Sequence, residues 1–169
     1  DEGLVAINWS TYQNADGSFK NSIASGSFYV TTYVHECSHA VGLNEPHYKG
    51  LVGQPRFPGL TRQSDEYRDK GDYDQNAQPF TQLTYVDKGA RNGMVPRSIE
   101  AYGFLQTLGA LDIAALQWMY GINPDAASGD NKYTLPLENR EGTGWRAIWD
   151  TGGVDRITAA GAIAPVTID

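Results

Sequence analysis

Residues 35–47 have the sequence His-Glu-Cys-Ser-His-Ala-Val-Gly-Leu-Asn-Glu-Pro-His, and this stretch determines the kind of fold and site to expect. Side chains four positions apart lie one above the other on a helix. His35 and His39 can therefore direct two imidazoles at one point, as a tetrahedral zinc site requires. Glu36 lies beside the first imidazole, where its carboxylate can take a proton from a water molecule that the metal acidifies. The stretch predicts a metal-binding helix that carries its own general base.

The neighbouring residues favour a helix that ends at Gly42. Apolar side chains recur at positions 30, 34, 37 and 41, which is typical of one helix face, so we predict a helix over residues 29–41. Glycine accepts the left-handed backbone that ends many helices, and Gly42 therefore lets the chain return a third ligand to the same metal. Cys37 lies on the side of a regular helix away from the metal, so we interpret it as a small buried apolar residue.

The remaining chain predicts short strands, one more helix and a long loop. Residues 4–9 favour a strand and residues 14–18 a turn. Residues 45–82 are rich in Pro, Gly and Asp and predict a long irregular segment, and such segments are often functional. Residues 105–120 carry apolar side chains at helical spacing, with Gly121 as the stop. Three further strands are predicted at residues 132–137, 146–149 and 163–168.

Composition limits the function classes. The 169 residues suffice for one domain, or one domain with a small addition, and 40% hydrophobic residues indicate a folded chain. A net charge of −7 repels nucleic acid and anionic membranes but suits divalent cations. No apolar run is long enough to span a membrane. Cys37 is the only cysteine, so no disulfide forms within the chain.

With His-Glu-x-x-His-x-x-Gly, the chain resembles the metzincins, and among them the serralysins, which are secreted bacterial zinc endopeptidases. Residues 80–85 are similar to the serralysin segment that carries the Met-turn, and residues 111–121 to the last helix of the catalytic domain. Residues 128–133 and 149–155 are similar to the start of the calcium-binding β-roll. These segments occur in the order that the family shows.

The resemblance implies an α+β fold in which residues 1–123 form part of a metzincin-type catalytic domain and residues 124–169 begin a β-roll. It implies zinc ligation by His35 and His39, a general base at Glu36, and a tyrosine at Tyr85 that binds zinc at rest and assists the transition state. Secretion and a protein or peptide substrate follow from the same resemblance.

Two positions depart from the family. The third zinc ligand of serralysins is histidine, but Glu45 stands at that position. Carboxylate is an acceptable zinc ligand, so we favour Glu45 over its rival His47, and we expect it to weaken the Lewis acidity of the zinc. Leu83 replaces the methionine of the Met-turn, which is a packing residue, and the two side chains are similar in volume.

The resemblance also predicts a calcium site. Calcium prefers six or more oxygen ligands. The predicted ligands are oxygen atoms of Asp150, Gly152 and Asp155 and the carbonyls of Ala127, Gly129 and Asn131.

Three functions remain open on sequence alone. The first is an active zinc endopeptidase. The second is a metal-stabilised module without catalysis, because the third ligand differs and the 34 residues before His35 hold about two strands rather than a whole upper sheet. Another fragment of the same precursor is the expected source of the rest. The third is a calcium-dependent surface protein in which the His-Glu-x-x-His pattern is accidental.

Overall fold

The computed structural model describes residues 5–19, 23–50, 52–53, 55–86, 101–163 and 165–166. These residues form a small α+β arrangement with helices α1 (Phe28–Ala40) and α2 (Ala110–Tyr120) and strands β1 (Lys132–Thr134) and β2 (Arg156–Thr158). Short 3-10 turns lie at Trp9–Tyr12 and Asp72–Asp74. The two strands pair in parallel, with Lys132 opposite Arg156. Neither helix of the described residues is long and apolar enough to cross a membrane.

Helix α1 confirms the helix predicted over residues 29–41. It begins after Ser27, whose side chain accepts a hydrogen bond from the Val30 N–H at 3.3 Å. It ends where Gly42 takes a φ of 95°. The Gly42 and Leu43 N–H groups then donate back to the carbonyls of His39 and Ser38, at 3.0 and 3.1 Å, a Schellman turn. This turn folds the Leu43 backbone against the last turn of α1.

The most buried face of α1 is polar. The apolar residues Val30, Val34 and Cys37, which indicated the helix, are only half-buried, and Val41 is 42% exposed, so Cys37 is less buried than predicted. The buried side chains are instead those of Thr31, His35 and Ser38. Thr31 donates to the Leu105 carbonyl at 2.9 Å, and Ser38 to the Val34 carbonyl at 2.8 Å. Such bonds satisfy the polar groups, so this face is buried without a large penalty.

Helix α2 begins at Ala110, so the predicted start at residue 105 is wrong. Residues 103–106 are bends with an isolated bridge between Leu105 and Trp145, because the Phe104 N–H donates to the Gly26 carbonyl and the Phe104 carbonyl accepts from the Trp145 N–H, both at 3.0 Å. Leu105 is fully buried at this junction. The predicted stop at Gly121 is confirmed by its φ of 88°.

The strand predictions succeed only in part. Residues 5–8 form no strand, a 3-10 turn begins at Trp9, and Leu4 lies outside the described residues. The strand predicted at 132–137 is limited to β1, residues 146–149 form none, and β2 was not predicted. Of residues 163–168, positions 163, 165 and 166 form no strand and the others lie outside the described ranges. Apolar runs this short do not distinguish strands from extended loops.

Two irregular regions agree with the prediction. The Asn14 N–H donates to the Ser18 carbonyl at 2.7 Å, which closes the turn at residues 14–18. In the part of residues 45–82 that the structure describes, the 3-10 turn Asp72–Asp74 is the only helical element, and no strand occurs.

Gly26 offers a test of the junction beneath α1. Its φ is 78°, and an added Cβ would lie 2.3 Å from the Thr143 carbonyl oxygen. Gly17 has a similar φ of 83° but open space around it. Left-handed backbone costs an L-residue about 1–2 kcal/mol, so Gly17→Ala should lower the free energy of unfolding by that amount. Gly26→Ala adds a backbone clash and should lower it by about 1–3 kcal/mol more in urea denaturation. Equal losses in the two variants would contradict this junction.

Candidate metal centre

Three side chains converge where α1 ends. The Nε2 atoms of His35 and His39 are 3.2 Å apart, because the two residues are one helical turn apart. The turn at Gly42 brings Glu45 back to them, with Oε1 3.2 Å from His39 Nε2 and 3.9 Å from His35 Nε2. Within the described ranges this is the one group of three or more His, Cys, Asp or Glu residues whose ligand atoms come close enough to hold a metal.

Both imidazoles are oriented by backbone carbonyls. His35 Nδ1 lies 3.1 Å from the Gln82 carbonyl oxygen, and His39 Nδ1 lies 2.8 Å from that of Leu43. A carbonyl can only accept, so each Nδ1 carries the hydrogen and donates it. In the neutral ring, Nε2 then presents a lone pair, which is the form of histidine that binds metals.

The spacing of these atoms fits zinc. Zinc bonds of 2.0–2.1 Å in a tetrahedron place neighbouring ligand atoms about 3.3 Å apart. Two of the three separations are 3.2 Å, and the third is 3.9 Å. Two lone pairs and a carboxylate oxygen would repel one another without a cation or a proton between them. The donor set therefore suits a divalent ion.

His47 lies beside this group but not in it. Its Nε2 is 3.8 Å from Glu66 Oε2, and its ring packs on Tyr85 with the centroids 4.4 Å apart. Its Nδ1 is buried without a hydrogen-bond partner among the residues that the structure describes. Burial lowers the pKa of His47, which favours the neutral ring. Glu45, and not His47, belongs to the group whose ligand atoms converge, and its role as the third ligand stays a prediction.

Tyr85 contacts both the metal group and a residue that the sequence analysis did not single out. Its hydroxyl donates to Glu45 Oε1 over 3.4 Å, a long hydrogen bond. Its ring is stacked between His35 and Tyr67, with centroids 5.8 and 5.6 Å away. Burial and then the Glu45 charge raise the pKa of Tyr85, so its hydroxyl remains a donor.

A cavity of about 310 Å³ adjoins this group. His35, Glu36 and Tyr85 line it together, and the rings of Phe28 and Phe104 form an apolar part of its wall. The predicted base and the tyrosine therefore face the same space.

Two further predictions concern packing. Cys37 is half-buried and is not part of the metal group, and Leu83 is buried as expected for a packing residue.

Sequence analysis missed the groups that hold the ligands. The carbonyls of Gln82 and Leu43 leave no signal in a sequence, because every residue has a carbonyl. Asp112 was quoted within a family-like segment but given no role. It is 3% exposed and accepts hydrogen bonds from the segment that contains Gln82. An acidic side chain on an otherwise apolar helix face is the signal that identifies such a residue.

The predicted calcium ligands come together but are bonded among themselves. The Asn131 side-chain amide donates to the carbonyls of Ala127 and Gly129, and the Asn131 N–H donates to Asp155. Asp150 accepts hydrogen bonds from the Tyr133 hydroxyl and the Gly152 N–H. An N–H donor thus occupies the point where the two carbonyls converge, and the calcium site stays a prediction.

Comparison with known proteins gives a distant likeness. No protein-family model matches this chain. The chain is similar to Serralysin G of Dickeya chrysanthemi. The two are 24% identical over 165 residues, which cover 90% of this chain and 30% of Serralysin G. The chain therefore spans about a third of the length of this curated relative. The likeness supports a distant serralysin-like relationship, and the group of His35, His39 and Glu45 is compatible with zinc.

The choice between Glu45 and His47 can be tested by metal affinity. Loss of a direct ligand should weaken zinc binding by more than the 10–100-fold that is typical of an outer partner. We expect Glu45→Ala to weaken zinc binding more than about 100-fold and His47→Ala less than about tenfold, measured by competition with a chromogenic chelator. The opposite order would make His47 the ligand.

Proposed function

We propose that this chain binds zinc through His35, His39 and Glu45 and hydrolyses peptide bonds. One observation carries the proposal: two imidazoles with Nδ1 held by carbonyls direct their Nε2 atoms at one point, within reach of a carboxylate. The Glu36 carboxylate lines the adjoining cavity, where a substrate has room to bind. The distant likeness to Serralysin G supports the same reaction class.

The chain's own residues supply the proton transfers. When bound, zinc lowers the pKa of a water molecule to about 7 and polarises the scissile carbonyl. Glu36 accepts a proton from that water and passes it to the leaving amine. The Tyr85 hydroxyl donates a hydrogen bond to the carbonyl oxygen as negative charge develops on it. Its bond to Glu45 is long, so exchanging that partner for the substrate oxygen loses little energy.

The cavity and the resemblance support a polypeptide as the proposed substrate. Phe28 and Phe104 give the cavity an apolar wall, and Glu36 is a negative group on its lining. A polypeptide segment with apolar side chains suits this surface better than an acidic one does. Secretion of the protein is part of the proposal, because it follows from the resemblance to serralysins.

A zinc-stabilised module without turnover is the second candidate. The observation that favours it is the Glu45 carboxylate in the metal group, because a charged ligand reduces the Lewis acidity of zinc. Zinc content and hydrolysis of an unfolded protein, measured on the same sample, separate the two. Bound zinc without cleavage favours the module.

Glu36→Gln tests the proposed mechanism directly. Glutamine keeps the shape of the side chain but cannot take a proton, and a general base contributes about 10²–10⁴-fold to a rate. We expect hydrolysis of unfolded casein to fall by at least about 10²-fold, with zinc affinity and unfolding unchanged. Glu66→Gln is the matched control, because Glu66 is a carboxylate near His47 but outside the metal group. Unchanged hydrolysis in Glu36→Gln would refute the mechanism.

A further inference from the structure

The buried face of α2 presents a carboxylate. Asp112 is the side chain of α2 that is buried, at 3% exposure, whereas Trp118 on the same helix is 88% exposed. Its Oδ1 accepts the Thr81 hydroxyl at 2.6 Å. Its Oδ2 accepts the N–H groups of Gln82 and Gly109 at 2.7 and 2.8 Å. These bonds hold the carboxylate in one orientation.

None of the ion pairs between described residues includes Asp112. Burial raises the pKa of Asp112, whereas its hydrogen bonds from Gln82, Thr81 and Gly109, and after them the charge of His35, act in the opposite direction. A buried carboxylate that relies on hydrogen bonds alone carries a desolvation penalty.

A continuous chain of hydrogen bonds joins His35, a proposed zinc ligand, to Asp112. His35 Nδ1 donates to the Gln82 carbonyl at 3.1 Å. The N–H of that peptide group is the Leu83 N–H, and it donates to Thr81 Oγ1 at 3.1 Å. The Thr81 hydroxyl then donates to Asp112 Oδ1. Every donor in the chain points toward the carboxylate, so each bond polarises the next.

The segment that contains Thr81, Gln82 and Leu83 is hydrogen-bonded to both helices. The Gln82 side-chain amide donates to the Thr31 carbonyl of α1 at 2.8 Å, and the Leu111 N–H of α2 donates to the Phe80 carbonyl at 3.0 Å. Gln82 is fully buried. The hydrogen-bond chain therefore has fixed geometry and is shielded from water.

We propose that Asp112 and Thr81 are positioning residues of the metal centre, which act on His35 through the Gln82–Leu83 peptide group and strengthen its binding of a divalent cation. A carboxylate at the end of the chain makes the Gln82 carbonyl a stronger acceptor, and a stronger acceptor at Nδ1 makes Nε2 a better ligand. The cation in turn balances the buried charge of Asp112. This inference rests on the proposed zinc site.

Substitution at Thr81 interrupts the hydrogen-bond chain and leaves the Asp112 carboxylate in the protein. Valine has nearly the shape of threonine but no hydroxyl, and loss of an outer partner typically weakens metal binding 10–100-fold. We expect Thr81→Val to weaken zinc binding at least about tenfold and Thr81→Ser, which keeps the hydroxyl, to bind as the wild type does. The measurements are zinc competition on the folded 169-residue chain and the visible absorption of its cobalt(II) form.

Thr84→Val is the matched control. Thr84 is also buried, and its hydroxyl accepts a hydrogen bond from the Val86 N–H and donates one to the Asn76 carbonyl. None of these hydrogen bonds leads to His35. Both valine variants should lower the stability of the metal-free chain by similar amounts. Only Thr81→Val should change zinc affinity and the cobalt spectrum. A purely structural role for Thr81 would leave both readouts unchanged.

Asp112→Asn is an independent variant, because asparagine can still accept the Gln82 and Gly109 N–H groups. We expect about a tenfold or larger loss of zinc affinity with little loss of stability in the metal-free chain. Three results would overturn the inference alone, provided that the wild type binds zinc. The first is equal zinc affinity in Thr81→Val and Thr84→Val, and the second is a zinc affinity of Asp112→Asn equal to that of the wild type. The third is failure of both Thr81→Val and Asp112→Asn to fold while Thr84→Val folds. A wild type that binds no zinc would refute the proposed function, and this inference with it.

Discussion

The hydrogen bonds from His35 Nδ1 to the Gln82 carbonyl and from His39 Nδ1 to the Leu43 carbonyl fix both imidazoles in one tautomer and one orientation. Without these hydrogen bonds each ring could rotate or carry its hydrogen on Nε2. The two Nε2 atoms would then not both present a lone pair to the same ion. With them, two lone pairs and the Glu45 carboxylate meet at one point. The remaining structure can be understood as the support that keeps these two carbonyls in place.

Buried hydrogen bonds supply part of that support. The Schellman turn at Gly42 returns Leu43 to the end of α1, so the helix terminus itself supplies one of the carbonyls. The other carbonyl lies on a segment that is hydrogen-bonded to both helices. Gln82 donates to α1, and the Phe80 carbonyl accepts from α2. Buried polar groups are tolerable only when each finds a partner, and here the partners also orient a ligand.

The sequence predicted the parts of this site that depend on local spacing. The separation of His35 and His39 and the turn at Gly42 follow from helix geometry over a few residues, whereas the preference for Glu45 came from the resemblance to serralysins. The sequence did not predict the buried face of α1, because hydrophobic periodicity ranks Val30 above Thr31, whereas the long-range bond from Thr31 to Leu105 reverses their burial. The predicted start of α2 was wrong for the same reason, since hydrogen bonds to the distant residues Gly26 and Trp145 hold Phe104 outside the helix. Contacts across many residues decide such features, and local patterns do not contain them.

The identity and coordination of the ion at His35 and His39 test the account most directly. X-ray absorption at the zinc K-edge of the 169-residue chain, after loading with one equivalent of zinc, reports the number and kind of ligand atoms. We predict one tightly bound zinc with two imidazoles and a carboxylate oxygen at about 2.0–2.2 Å. A spectrum without imidazole scattering, or a folded chain that retains no zinc after dialysis, would contradict it.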